Sequence, residues 1–404
     1  MKCCSLLIGL LPLLPFTEAN AFYDASVESS RLIKNLKTDF GATGQGVEND
    51  SARLQAAIDE VSRGGGGIVR IPAGEYFLTN VSMKSNVHLE IDPHAVLKPY
   101  LKNATKSVSL FNLGIDTGTI ENVSIRGVGG RYTVRLPKFE PGIRVFSFKS
   151  VRNFLVSDVN IEDSLTKFAC FQFGMEASSK TGVWRPTAGT IANANVTGAA
   201  YGYGLVQIQA AESVRFENLS GTGGTTLRME TGEKRMNDAQ IGGMDNIVGR
   251  NISCTDGNAA VMISPHSMKN GVVTVDGVKS VGCGFGVRIA NGFISTKYAT
   301  PNLQPGSFAA GSSVRNLDAT FGLKAQLKSK HFKYVPAPLK QLIQDQKESE
   351  DGESVRGPAI AAVLNEATYH VTVENVTPHG FKDTPAIMTE SNAAGTARRQ
   401  KASP

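Results

Sequence analysis

The sequence predicts an all-β chain wound as a right-handed parallel β-helix, with an N-terminal capping helix and a late insertion. Three observations point there. Glycine supplies 42 of 404 residues, which favours frequent turns over long uninterrupted helices. A short motif also recurs: an apolar β-branched run, Asn or Asp, one apolar residue and one small polar residue. It runs from Glu121-Asn122-Val123-Ser124 through Ser157-Asp158-Val159-Asn160, Ala194-Asn195-Val196-Thr197, Glu217-Asn218-Leu219-Ser220 and Arg250-Asn251-Ile252-Ser253. It continues through Val275-Asp276-Gly277-Val278 and Arg315-Asn316-Leu317-Asp318 to Glu374-Asn375-Val376-Thr377. Between these motifs, residues alternate at strand period, as in Val206-Gln207-Ile208-Gln209 and Val287-Arg288-Ile289. The shorter motif spacings suit one turn of a solenoid, and the longer ones leave room for loops on one side.

The elements follow in order. Residues 1–21 read as an export leader: Lys2, the apolar stretch Leu6 to Phe16, and the small-x-small site Ala19-Asn20-Ala21. The mature chain is expected to begin near Phe22 and to be secreted, extracellular or periplasmic, with no membrane span. Only Cys170, Cys254 and Cys283 remain beyond the leader, so at most one intramolecular disulfide can form. After Asp50-Ser51, which can cap a helix start, Leu54, Ala57, Ile58 and Val61 fall at helical spacing. Gly64 to Gly67 end that helix, and Ile68-Val69-Arg70-Ile71-Pro72 opens the first strand. Residues 22–293 then form the capped β-helix with its groove. Residues 294–367 hold an insertion with a further coil and a basic, helical segment, and 368–404 a last coil and a disordered tail around Arg398-Arg399.

Several features have plain structural explanations. Asn-x-Ser/Thr occurs at Asn80, Asn103, Asn122, Asn195, Asn218, Asn251 and Asn375, mostly within the repeat, where Asn serves turns and stacks between coils. His88 and His94 have no Cys or carboxylate at metal-ligand spacing. The lysines Lys324, Lys328, Lys330 and Lys333 suit either a solvated insertion or a basic flap beside a glycan groove. The chain carries 42 basic against 36 acidic side chains, a formal charge of +6. An exported basic surface favours acidic or sulfated glycans over nucleic acid.

The chemistry is placed in residues 205–292. With the apolar residues of Val206-Gln207-Ile208-Gln209, Leu227-Arg228-Met229-Glu230, Val261-Met262-Ile263-Ser264 and Val287-Arg288-Ile289-Ala290 turned inward, Gln207, Arg228 and Arg288 project along one ladder. Gln209 and Glu230 project along the next, and Gly232 and His266 align two residues further on. Stacked coils lie about 4.8 Å apart, so these side chains share one patch. On that pattern alone, ordinary solvent-facing strand residues account for them. Pectin chemistry and non-catalytic glycan binding also remain open. A pectin hydrolase wants clustered Asp, where this block offers only Asp245, Asp256 and Asp276, and a lyase wants an acidic Ca²⁺ site.

Two resemblances sharpen the reading. Asp39-Phe40-Gly41-Ala42-Thr43-Gly44, Asn49-Asp50, Ala56-Ala57-Ile58 and Pro72-Ala73-Gly74-Glu75-Tyr76 resemble the opening of pectate-lyase-like β-helix proteins. The stretch Gln207 … Leu227-Arg228-Met229-Glu230-Thr231 … His266 … Arg288 resembles the active-site region of the iota-carrageenases, glycoside hydrolase family 82. That resemblance implies inverting endo-cleavage of β-1,4 bonds in a sulfated galactan. It implies Glu230 as general acid, Gln207 and His266 as polar catalytic positions, and Arg228 and Arg288, with Gln209 beside them, as substrate-binding residues. No cofactor is implied for the chemistry; a structural Ca²⁺, Na⁺ or chloride ion and a monomeric state are compatible with it. One departure stands out. Family members carry an Asp two residues after the acid as the proposed base, and this chain has Gly232. Residues two apart on a strand sit about 6.6 Å apart, near the roughly 6.5–9.5 Å that an inverting carboxyl pair needs. Glu233, Asp238 and Glu176 are the alternative bases within reach in sequence.

Overall fold

The computed structural model describes residues 22–27, 32–115, 118–178, 182–347 and 354–393. The leader and the Arg398-Arg399 tail lie outside them. Helix α1 spans Ser51–Arg63 and buries Leu54, Ala57, Ile58 and Val61 over the open first coil. The expected side-chain cap is absent. Asp50 makes no side-chain hydrogen bond to the helix start; its buried carboxylate instead takes Arg53 Nη1 at 3.3 Å. The Asp50 N–H donates to Phe77 O, which ties the helix to the next coil.

The strands wind as a right-handed parallel β-helix, and one of its sheets carries the groove. In chain order its strands are β1 (Val81–Ser82), β2 (Val108–Leu113), β3 (Ile143–Phe148), β4 (Phe171–Phe173) and β5 (Thr187–Ile208). They continue as β6 (Ala211–Glu230), β7 (Ala259–Ser264), β8 (Phe285–Ile289), β9 (Ala361–Asn365) and β10 (Ile387–Thr389). Every neighbouring pair is parallel and in register at the groove, so Ser147, Gln172, Gln207, Arg228, Met262 and Arg288 form one outward column. The flanking positions point inward as stacks. Phe111, Phe146 and Phe171 follow one another at 5.5 and 4.7 Å between ring centroids, and Phe148 lies on Phe173 at 4.3 Å. Each fully buried ring contributes about 1.5–3 kcal/mol, so the core itself opposes a slip in register.

The corners are held by residues in the left-handed backbone region, and here the structure corrects the phase of the motif. One corner runs Asp158, Asn193, Asn218, Asn251, Gly277, Asn316, Asn375, all at positive φ. Asn195 is not in it: it pairs in register with Ser220 two residues on, and accepts the Ser220 hydroxyl at 2.9 Å. Gly277 rather than Asp276 takes the corner in its coil. Asn122 belongs to a different corner, with Asn86 and Asn153. The amides hydrogen-bond along the stack, Asn218 to Asn193 at 3.1 Å and Asn251 to Asn218 at 3.0 Å. Asn tolerates positive φ because its short side chain bonds locally, and stacking adds a second reason.

The insertion interrupts the winding after Ser313–Thr320. An antiparallel pair, Ala325–Lys328 with Ser354–Gly357, carries two 3₁₀ turns, Ser329–Tyr334 and Ala337–Leu342. Buried Gln326 anchors it to the groove sheet: its Oε1 accepts the Gly224 N–H at 2.6 Å, and its Nε2 donates to Ala199 O at 3.2 Å. This fixes Lys328 and Lys330 over the outward column. For the corners, Asn251→Ala is expected to cost about 1–2 kcal/mol in urea unfolding, from the strained backbone and the lost amide bond. No change in midpoint would show that the stack carries no stability.

Candidate active site

Arg228 and Glu230 lie two residues apart on β6, on the same outward face. Arg228 Nη2 reaches Glu230 Oε2 at 2.5 Å. Gln207, one coil earlier, donates from Nε2 to the same oxygen at 3.3 Å. His266 follows β7 at φ 48, and its Nε2 meets Glu230 Oε1 at 3.3 Å. The ring is locked from behind: Phe293 packs on it at 4.3 Å, and Tyr298 OH bonds Nδ1 at 2.6 Å. Both Glu230 oxygens are therefore held by side chains from three consecutive coils and anchored by a loop that follows β8.

Beside this cluster is a cavity of about 210 Å³, lined by Tyr201, Tyr203, Arg228, Glu230, Arg288 and Lys330 among others. Lys328 also faces it. Arg288 pairs with Glu366 Oε2 at 3.6 Å, and Tyr334 OH donates to Glu366 Oε1. Among the described residues, Arg228, Arg288, Lys328 and Lys330 thus gather near Glu230 and Glu366. Among the described residues, the Nε atoms of Arg228 and Arg288 are buried without a hydrogen-bond partner, while their guanidinium groups line the cavity. Such a constellation attracts an anion with several acceptor oxygens.

The electrostatics follow from the packing. Burial favours the neutral form of Glu230, but the Arg228 guanidinium and then His266 outweigh it and hold the carboxyl near pKa 2. Glu230 is ionised in the free protein. Burial, then the charge of Arg288, pushes Lys330 down to about 8. His331, beneath Lys330 and beside Tyr201, is buried and pushed well below its ordinary value.

The structure brings Gln207, Arg228, Glu230, His266 and Arg288 together. Gln209 stands apart: it makes none of these bonds, and its Oε1 is buried without a partner among the described residues. Gly232 lies directly under His266, and a Cβ there would fall 2.9 Å from both Cε1 and Nε2 of the ring. The imidazole therefore fills the space that a side chain at 232 would enter. The three alternative bases are engaged elsewhere. Glu233 caps α2 (Lys234–Ala239) by accepting from Arg235 N and Met236 N. Asp238 pairs with Lys234 and accepts from Ala299 N at 2.8 Å, and Glu176 pairs with Lys149 at 2.9 Å. Sequence reasoning missed Tyr298 and Glu366, which come from a loop and from the residue just past the end of β9. Lys328 and Lys330 were visible only as members of a lysine run.

Among known proteins, the family model for rhamnogalacturonase A/epimerase, pectate lyase-like, matches residues 33–293. The iota-carrageenase of Zobellia galactanivorans is 31% identical, the match covering 93% of this chain and 88% of that protein. The iota-carrageenase of Alteromonas macleodii is 32% identical over 82% of this chain and 79% of its own length. Among solved structures, a family 82 iota-carrageenase from A. fortis superposes with a TM-score of 0.84 at 30% identity, covering 94% of this chain and 93% of that one. An iota-carrageenase complexed to iota-carrageenan fragments gives 0.83 at 29% identity, covering 94% and 95%. Fold, site and kinship agree: the chain belongs to the iota-carrageenase family, glycoside hydrolase family 82, within the pectate-lyase-like β-helix proteins.

Proposed function

We propose that this protein is a secreted glycoside hydrolase that cleaves internal β-1,4 bonds of a sulfated galactan of the iota-carrageenan type, with inversion. The observation that carries the reading is the ionised Glu230, held between Arg228 and His266 at the edge of a cavity with four cations. A neutral polysaccharide has no use for that charge, whereas sulfate esters match the guanidinium forks. The chemistry needs no cofactor, and the chain works as a monomer.

Glu230 is the general acid, and the free protein holds it in the wrong protonation state for that role. Substrate corrects this. A sulfate drawn to Arg228 and Arg288 takes the guanidinium away from Glu230 and adds negative charge nearby; both effects raise the carboxyl pKa toward the working pH. Gln207 keeps the carboxyl turned toward the leaving oxygen. His266 is the group that replaces the missing aspartate, because its ring occupies the space above Gly232 and is oriented by Tyr298. Its 3.3 Å contact with the ionised Glu230 places a proton on Nε2 and admits no water, so the entering sugar must part the two and that proton must pass to Glu230 before Nε2 can take one from water.

Gly232 also favours a second reading, a sulfated-glycan-binding protein without turnover. Substitution separates the two. Glu230→Gln should lower kcat on iota-carrageenan by about 10²–10⁴-fold while binding changes little, because the amide keeps the shape and cannot give up the proton. Wild-type protein that binds but releases no reducing ends would favour the binding reading. Gly232→Ala adds no charge and only displaces the His266 ring. It should cut kcat at least about tenfold with the melting temperature nearly intact, since small misplacements at a reacting centre are costly. An unchanged kcat would remove His266 from the mechanism.

A further inference from the structure

The groove sheet continues toward the N-terminus of the solenoid beyond the catalytic cluster, and the starts of its strands there carry an unusual set of side chains. Arg144 opens β3, Phe168 precedes β4, and Tyr203 lies in β5 on the wall of the cation-rich cavity. The Arg144 guanidinium carbon sits 3.7 Å from the Phe168 ring centroid, and the Phe168 and Tyr203 rings are 6.0 Å apart. These are consecutive coils, so the three form a continuous strip from Arg144 to the cavity.

Three features set the strip apart from ordinary packing. Arg144 is half-buried, yet among the described residues it pairs with no carboxylate; its Nη1 reaches only Ser107 Oγ, at 3.4 Å. Burial accordingly pushes its pKa down. Other groove-side arginines, Arg228 and Arg288, each have a Glu. Phe168 holds φ 77 and nearby Leu165 φ 59, positions a bulky side chain avoids unless the surroundings enforce them. Room for the ring exists because position 142 is glycine at φ 93, where a Cβ would come within 2.6 Å of Phe168. A half-buried guanidinium without a counter-ion, on a ring held half-exposed by strained backbone, is costly unless something binds there.

We propose that Arg144, Phe168 and Tyr203 form an outer substrate subsite for a sulfated sugar. The aromatic rings give apolar faces to the pyranose, and the free edge of Arg144 donates to a sulfate ester. This inference rests on the sulfated-galactan reading above. Arg144 is three coils from Arg228, about 14 Å along the solenoid, so the subsite takes a residue well separated from the bond being cleaved. Only chains long enough to span both places gain from it, and the device therefore sets chain-length preference.

The test compares kcat/KM on size-fractionated iota-carrageenan oligosaccharides for wild type, Arg144→Gln, Phe168→Ala and a control, Arg135→Gln, on another face. The preference for long over short oligosaccharides is expected to fall about tenfold in Arg144→Gln and Phe168→Ala, through KM, equivalent to roughly 1.4 kcal/mol of binding. Arg144→Lys should recover part of it, and Arg135→Gln should keep the wild-type ratio. An unchanged ratio in a wild-type background that cleaves the polymer overturns the subsite and leaves the hydrolase reading standing. Equal losses on long and short chains also overturn it, as a general defect. Wild type that neither binds nor cleaves any fraction overturns both. Should Phe168→Ala fail to fold, Arg144→Gln decides.

Discussion

In-register stacking of the coils is the constraint on which everything else depends. Because each strand of the groove sheet pairs residue for residue with the next, an outward side chain has its neighbours fixed at about 4.8 Å above and below. Gln207, Arg228, Met262 and Arg288 come from separate coils spread over 82 residues of sequence, yet they make one column. A slip of one residue would turn that column into the core and expose Phe146, Phe171 and Leu227. The core stacks resist the slip from inside, and the asparagine corners resist it at the surface.

That rigid column allows an electrostatic arrangement a flexible site could not hold. Glu230 is buried, and burial alone would neutralise it. Arg228 on the same strand face, locked at 2.5 Å, keeps it charged. The insertion adds Lys328 and Lys330 to the cavity wall, where burial and Arg288 lower the Lys330 pKa, and Gln326 ties the strand that leads to them to the groove sheet. Among the described residues, cationic side chains thus surround a carboxylate that is ionised at rest. In the proposed mechanism an anionic substrate balances that charge and raises the Glu230 pKa, so recognition of sulfate and activation of the acid are one event.

Much of this was legible in the sequence because alternation reports burial directly. Val206, Ile208, Leu227 and Met229 point inward as their pattern predicts, and α1 buries the four residues its spacing selects. The repeat was harder to phase. Asn193 and Asn195 both fit a loose Asn-apolar-polar pattern, and only the backbone angle distinguishes the corner residue from its neighbour. Gln209 lies just past the end of β5, where alternation ceases to predict direction. Tyr298 comes from an aperiodic loop, and Glu366 becomes a neighbour of Arg288 only after the chain has left and rejoined the sheet. The bearing of Gly232 on His266 is a matter of ångströms between coils, which no spacing in sequence encodes.

The coupling of sulfate to acid activation is tested most directly by kcat, at saturating substrate, on iota-carrageenan and on the same polymer after chemical desulfation. Loss of binding alone would change KM. If sulfate is needed to free Glu230 from Arg228, the desulfated chain should show kcat lower by at least about 10²-fold even when saturating. Equal kcat on the two polymers would contradict the account, because Glu230 would then gain its proton without any anion in the pocket.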